Sequence, residues 1–214
     1  MTRIFLCRHG QTEWNEKHIF QGQHNSPLTK LGIDQAKKLG EVLSRYQFDK
    51  VYCSVLDRAR ETANVILEEM NAKSLPIEYV SGIQEIYLGI LEGNDFEVGM
   101  AKYPEIMGSF WEDTAGERDW ETLGDVRRRA AKQIEEIRDN NEGKTILVVT
   151  HGVVLRSLYS YFHNFTLEES RCQPKPESAC LCEVCWEHGI WDIKMWNSTD
   201  HLKGLASTAK HSFL

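Results

Sequence analysis

No stretch of the chain approaches the ~20 apolar residues that a membrane-spanning helix needs, so no membrane insertion is expected. The first apolar run, Ile4-Phe5-Leu6-Cys7, is cut off by Arg8 and is too short for a secretory leader. A cytoplasmic protein is the expectation, with its six cysteines kept mostly as thiols. Linkers rich in Pro, Gly or Ser, repeats and low-complexity tracts are also missing, so no boundary divides the 214 residues. One domain spanning 1–214 is expected. Positive charge is in deficit: 25 Lys+Arg stand against 32 Asp+Glu, a net −7. That balance excludes the broad basic face of a nucleic-acid binder. It leaves room for a small anionic ligand, because a pocket can be positive inside an acidic protein. A standard paired zinc spacing is absent as well. In an extended Cys180-x-Cys182-x-x-Cys185 segment, the first two thiols share a face and the third takes the other. They do not converge, and no metal site is expected there.

The elements that remain alternate in type. Ile4–Cys7, Val51–Cys53, Ile77–Val80 and the β-branched run Thr145–Thr150 read as strands. Helical spacing follows Thr29, a plausible N-cap, and recurs over Arg58–Met70, Val126–Asn140 and Val153–Phe162. Ala179–Trp186 and Ile190–Trp196 flank His188-Gly189 as a hairpin. Residues 86–122 have weak periodicity and read as short helices and loops, a cap over a site. Residues 203–214 read as a loosely held tail. The alternation predicts an α/β three-layer sandwich, a mostly parallel central sheet with helices on both faces. In such sheets ligands sit beyond the carboxyl ends of the strands.

Two predicted strands end alike, in Arg8-His9-Gly10 and in Thr150-His151-Gly152. A histidine at one strand end is ordinarily structural; two at neighbouring strand ends can face one crevice. A third strand runs into Ser54-Val55-Leu56-Asp57-Arg58-Ala59-Arg60. An arginine at a helix start is electrostatically disfavoured unless an anion accompanies it. Arg58 is preferred over Arg60, being nearer the helix start. The tract Arg127-Arg128-Arg129 reads as a solvated helix face with flanking ion pairs. Trp111, Trp120 and Tyr103 read as packing residues of the cap.

Read in order, these segments resemble the histidine phosphatase superfamily, also called phosphoglycerate mutase-like. The resemblance is carried by Arg8-His9-Gly10-Gln11-Thr12-Glu13-Trp14-Asn15, Phe20-Gln21-Gly22, Ser26-Pro27-Leu28-Thr29 and Ser54 to Ala59. It continues through Glu85, Gly89, Glu92-Gly93, Thr150-His151-Gly152 and, late in the chain, Asn197 with His201-Leu202. It spans roughly residues 3 to 202. The resemblance implies that His9 is the nucleophile, its other ring nitrogen fixed by a backbone carbonyl. It implies that Arg8, Arg58, Asn15 and His151, with the backbone at Gly152, hold the phosphoryl oxygens. Glu85 would protonate the leaving oxygen and later activate water, with Glu92 as the rival carboxylate. Gln21 and Gly22 would belong to a substrate loop. Neither a cofactor nor a metal is implied, since cationic side chains take over the role of magnesium. The partner would be a small phosphorylated metabolite, and a homodimer is compatible with the sequence.

Phosphomonoester hydrolysis is the leading reading. A cofactor-dependent phosphoglycerate mutase is the first alternative, a non-catalytic phosphate-binding module the second and a metal-binding regulatory protein the last. Dedicated mutases of the family carry a Glu-Arg-His-Tyr-Gly stretch at the acid. Here it reads Glu85-Ile86-Tyr87-Leu88-Gly89, without the two basic groups suited to a second substrate anion. Lys102 and Arg118 are the residues that could replace them from the cap.

Overall fold

The structure, a computed structural model, describes residues 1–112, 118–173 and 175–205. A six-stranded sheet in the order β3-β2-β4-β1-β5-β6 forms its centre. The strands are β1 (Thr2–Arg8), β2 (Lys50–Ser54), β3 (Ile77–Val80), β4 (Thr145–Thr150), β5 (Leu181–Glu187) and β6 (Ile190–Ser198). Strands β3, β2, β4 and β1 are mutually parallel; β5 runs antiparallel to both β1 and β6. The mostly parallel sheet and the terminal hairpin expected from the alternation are both present.

Side chains alternate across this sheet. Ile4, Leu6, Ile146 and Val148 enter one apolar cluster, while Phe5, Cys7, Leu147 and Val149 enter the other, all fully buried. Central strands covered on both faces read as continuous apolar runs for this reason. Helices α2 (Lys30–Leu43) and α3 (Asp57–Glu69) cover one face, through Ala36, Leu39, Leu43, Ala63 and Ile66. Helices α6 (Leu123–Asp139) and α7 (Gly152–Phe162) cover the other, through Val126, Ile134, Leu155 and Leu158. Four short helices complete the chain: α1 (Glu13–Glu16), α4 (Phe96–Lys102), α5 (Pro104–Ser109) and α8 (Leu167–Arg171). No helix among the described residues is long and apolar enough to cross a membrane.

Two boundaries differ from the periodicity. Helix α6 begins at Leu123, three residues before Val126, because Thr122 caps it and Asp125 reaches back to Thr122 in a capping box. Its end at Asp139 precedes Gly143, which lies beyond the helix in the following turn with φ 76°. The cap segment does contain short helices. Leu88, Leu91, Phe96, Ile106 and Phe110 bury against the α6/α7 side of the sheet. Residues 113–117 of that segment and 206–214 of the expected tail lie outside the described residues.

The packing reading of the cap aromatics agrees with their contacts. Trp120 Nε1 donates to Ser109 Oγ at 2.9 Å, and Trp111 lies under the Arg156 guanidinium. Cys180 and Cys182 join the α6/α7-side cluster. Among the described residues no group of three metal-ligating side chains converges.

Candidate active site

Three chain segments meet beyond the carboxyl ends of β1, β2 and β4. Strand β1 delivers Arg8 and His9, β4 delivers His151, and the turn after β2 starts α3 with Arg58. An open crevice of about 630 Å³ is lined by Arg8, His9, Asn15, Gln21, Gly22, Arg58, Glu85 and Gly152. Of the expected site residues only His151 is not on that surface. It stands behind, fully buried, with its ring 5.2 Å from that of His9.

His9 has a single defined tautomer. Its Nδ1 lies 2.7 Å from the Gly10 carbonyl oxygen. A carbonyl can only accept, so Nδ1 carries the proton and Nε2 holds a lone pair. That lone pair accepts from Arg58 Nε at 3.2 Å. Burial, then Arg58 and Arg8, hold the His9 imidazole well below its ordinary range and keep it neutral. His151 is lowered too, by burial first and then by Arg58, His9 and Arg8; its Nε2 is 2.7 Å from Ser54 Oγ.

The arginines are anchored from behind. Arg58 is 1% exposed, and its Nη1 and Nη2 donate to the carbonyls of His24 and Gly22 at 2.8 and 2.7 Å. Burial pulls its guanidinium down to about 10, still fully charged at neutral pH. Arg8 Nη1 donates to the Pro176 carbonyl at 2.8 Å. Arg60, the rejected candidate, instead lies over the Tyr79 ring. A Cβ at position 152 would sit 3.3 Å from Arg8 Cζ and Nε, so glycine there lets the guanidinium lie against the start of α7.

Three features give the crevice anion-binding character. Arg8 Nε and Gln21 Nε2 are buried donors without a hydrogen-bond partner, and His151 Nδ1 is equally unpaired; such groups are costly unless a ligand meets them. The N-cap residues of helices α3 and α7, Leu56 and His151, do not cap with their own side chains; Asp57 N at the start of α3 donates to Asn25 Oδ1 at 3.1 Å and Val153 N in the first turn of α7 to Glu85 Oε2 at 3.3 Å. The other long helices, α2 and α6, are capped by Thr29 and Thr122. An oxyanion fits the first-turn N–H groups that Asn25 and Glu85 leave over.

Glu85 lines the same crevice. Its Oε1 accepts from Ile86 N at 3.0 Å and its Oε2 from Val153 N at 3.3 Å. Glu92 is used differently: 1% exposed, its Oε1 accepts from both Gln23 N and Leu88 N at 2.9 Å. It ties two loops together and does not line the crevice. Asn15 Oδ1 accepts from Thr12, closing the cap of α1, so only its amide nitrogen is left to turn inward.

The sequence reading of Arg129 as solvated is overturned. Arg128 does pair with Asp125 at the surface. Arg129, however, donates from Nη1 to Gly82 O and Gln84 O and from Nη2 to Glu85 O, and pairs with Glu121. It clamps the backbone that carries Glu85. Three arginines in a row on one helix turn point in three directions, and charge alone could not say which one faces inward. The apolar wall was also unassigned: Trp14, Ile19, Phe20, Leu88 and Phe96 line the crevice. Lys102 and Arg118 do not; they lie over Tyr103 and beside Glu112 and Asp125.

The sequence pattern of the histidine phosphatase superfamily (branch 1) matches residues 4–199. The chain belongs to this family. Its relatives divide in activity. A metal-independent phosphoserine phosphatase of Arabidopsis thaliana is 31% identical over 212 residues, covering 96% of this chain and 85% of the relative. A 2,3-bisphosphoglycerate-dependent phosphoglycerate mutase of Borreliella burgdorferi is 30% identical over 200 residues, covering 79% and 81%. Among solved structures, Bacillus stearothermophilus YhfR superimposes with a TM-score of 0.87 at 30% identity, covering 95% of this chain and all of that one. The family thus supplies hydrolases and mutases on one fold, and the site must discriminate between them.

The paired buried histidines carry a stability prediction. Both are held neutral in the native protein, whereas each takes up a proton in the unfolded chain below about pH 6.5. Their contribution is therefore complete above that pH and is lost as pH falls. With two protons at about 1.36 kcal/mol per pH unit each, the slope from this pair approaches about 2.7 kcal/mol per unit. Urea unfolding between pH 7 and 5.5 should show that decline, and His9→Ala should remove about half of it. An unchanged slope in the variant would mean that His9 is charged in the native state.

Proposed function

We propose that this chain is a metal-independent phosphomonoesterase acting on a small phosphorylated metabolite through a phosphohistidine at His9. The observation that carries the reading is the fixed His9 tautomer, with Nδ1–H on the Gly10 carbonyl and the Nε2 lone pair beside Arg58 in the crevice. In the free protein Arg58 Nε–H covers that lone pair. An arriving phosphoryl oxygen draws the donor to itself and exposes Nε2 for in-line attack. Arg8, Arg58, His151 and the start of α7 hold the equatorial oxygens, and Asn15 adds its amide N–H. As the N–P bond forms and the ester P–O bond breaks, the Glu85 carboxyl gives its proton to the leaving oxygen. Glu85 then takes a proton from water, water oxygen bonds to phosphorus, the N–P bond breaks and inorganic phosphate leaves.

No cofactor enters this sequence. The guanidinium groups and helix N-termini supply the positive charge that a magnesium ion brings elsewhere.

Hydrolysis is favoured over mutase chemistry by what stands beside Glu85. A mutase needs groups for a second substrate anion. Ile86 is buried and lines the crevice, Tyr87 is 42% exposed, and neither is basic. Trp14, Phe20, Leu88 and Phe96 continue the apolar wall, which suits an ester with an uncharged or aromatic body better than one with a second phosphate.

A panel of aryl, sugar, amino-acid and glycerate phosphates, assayed with excess EDTA, tests the proposal. Phosphate release unaffected by chelation is expected. Activity lost on chelation and restored by magnesium would remove the metal-independent mechanism. In parallel, 3-phosphoglycerate is supplied with catalytic 2,3-bisphosphoglycerate. Formation of 2-phosphoglycerate faster than hydrolysis of any ester would assign the chain to the mutases.

A further inference from the structure

Asn197 belongs to β6, the edge strand of the antiparallel hairpin, and does not line the crevice. It is nevertheless one of only six non-glycine residues with positive φ among those described, at 52°. A side chain held in this left-handed conformation is worth explaining. Its amide is fully used. Oδ1 accepts from Glu177 N at 2.8 Å, and Nδ2 donates to Lys175 O at 3.0 Å. The two bonds straddle Pro176, and proline fixes one further backbone angle between them. What is thereby oriented is the Pro176 carbonyl, which accepts from Arg8 Nη1 at 2.8 Å.

That carbonyl matters because Arg8 has few other restraints. Its Nε is buried without a hydrogen-bond partner, and its guanidinium lies against Gly152, the first residue of α7. Arg8 lines the crevice, and Nη1 is the nitrogen that Pro176 engages. Rotation of the 175–177 backbone would turn the guanidinium fork with it.

We infer that Asn197 is a positioning residue for Arg8, fixing the Pro176 carbonyl so that the guanidinium presents its remaining N–H groups to a bound oxyanion. The inference rests on the reading of the crevice as a phosphoryl site, and it assigns a role to a residue that touches no substrate. The same loop serves His9 at its other end. His201 Nε2 hydrogen-bonds the Ala179 carbonyl at 2.9 Å, and Ala179 N donates to the His9 carbonyl at 3.1 Å. Loop 175–179 is therefore a strap behind the two residues that end β1, and Asn197 is the buckle on the arginine side.

The test separates the amide from the backbone. Asn197→Gly keeps the left-handed conformation without strain and deletes only the side chain; thermal unfolding checks that the fold is retained. Orthovanadate binding, followed by calorimetry, reads the oxyanion site without turnover. Hydrolysis of 4-nitrophenyl phosphate reads the reaction. Misaiming a phosphate-binding group from a distance costs on the order of 10- to 100-fold. Asn197→Gly is expected to weaken vanadate and lower kcat/KM by that factor, with most of the loss in kcat. Asn197→Asp, which keeps the acceptor but sets an anionic oxygen against the Lys175 carbonyl, should be no better.

The decisive comparison is in the Arg8→Ala background. There Asn197→Gly is expected to cost nothing further, since the residue it aims is gone. Equal losses in both backgrounds would overturn the inference, as would unchanged vanadate affinity in Asn197→Gly. A wild-type protein that binds neither vanadate nor phosphate would instead overturn the phosphoryl-site reading itself.

Discussion

His9→Ala is expected to lower kcat by on the order of 10⁴ to 10⁶ and to abolish covalent labelling of the protein. The effect is large because no neighbouring group can substitute. Attack on phosphorus needs an unprotonated nitrogen beside the phosphate-binding arginines, and His9 Nε2, 3.2 Å from Arg58 Nε, is that atom. His151 is fully buried behind it, and its Nε2 is engaged with Ser54. Arg8 and Arg58 are cations and cannot be nucleophiles. Cys7, one residue before Arg8, is buried in the α2/α3-side cluster, and burial pushes its thiol up. Rapid quenching with labelled substrate should trap acid-labile, base-stable phosphate on the wild-type protein and none on the variant. Binding should survive, since Arg8, Arg58 and the helix N-termini remain; vanadate affinity should change far less than kcat. Labelling of His9→Ala at the wild-type level would move the nucleophile elsewhere.

Most of this arrangement is legible in the sequence because strand ends are legible. An apolar run that stops at Arg8-His9-Gly10, and another at Thr150-His151-Gly152, put two histidines at the carboxyl ends of buried strands. The sheet pairs Arg8 with Thr150 in register, so the two must be neighbours. Arg58 could be preferred to Arg60 because it lies nearer the helix start, and two residues along a helix turn a side chain by about 200°. The residues that escaped are those whose role depends on long-range contact. Arg127, Arg128 and Arg129 follow one another on α6, and only their contacts tell them apart: Arg128 meets Asp125 at the surface, Arg127 reaches the Phe165 carbonyl and Arg129 the 82–85 backbone. The apolar crevice wall gathers Trp14, Phe20 and Phe96 from segments far apart in the chain, where no local periodicity links them. Glu92 and Glu85 illustrate the same limit. Seven residues apart, they are indistinguishable as carboxylates until one is found spending its oxygen on two backbone amides.

That distinction leads to the second large effect. Glu85→Gln is expected to slow the phosphorylation half-reaction by on the order of 10² to 10⁴ for an alkyl phosphate. For an aryl phosphate such as 4-nitrophenyl phosphate the loss should be about tenfold or less, because a phenolate departs with little protonation. The prediction rests on placement. Arg129 Nη2 and Gln23 Nε2 each donate to the Glu85 carbonyl at 3.0 Å, which pins the backbone. The carboxylate then meets the first turn of α7 through Val153 N, on the surface of the crevice that His9 also lines. Glutamine preserves length and the acceptor for Ile86 N but has no proton to give at neutral pH. Single-turnover measurements are needed, because steady-state rates fold in the hydrolysis of phosphohistidine, a step in which the proposed mechanism uses Glu85 again. Glu92→Gln is the matched control. It should loosen the loops joined at Gln23 and Leu88 and reduce both esters alike, since Glu92 does not line the crevice and reaches Arg58 only through the 22–24 loop. Equal losses for alkyl and aryl esters in Glu85→Gln would leave this residue a structural role as well, and the proton donor would have to be sought elsewhere along the crevice.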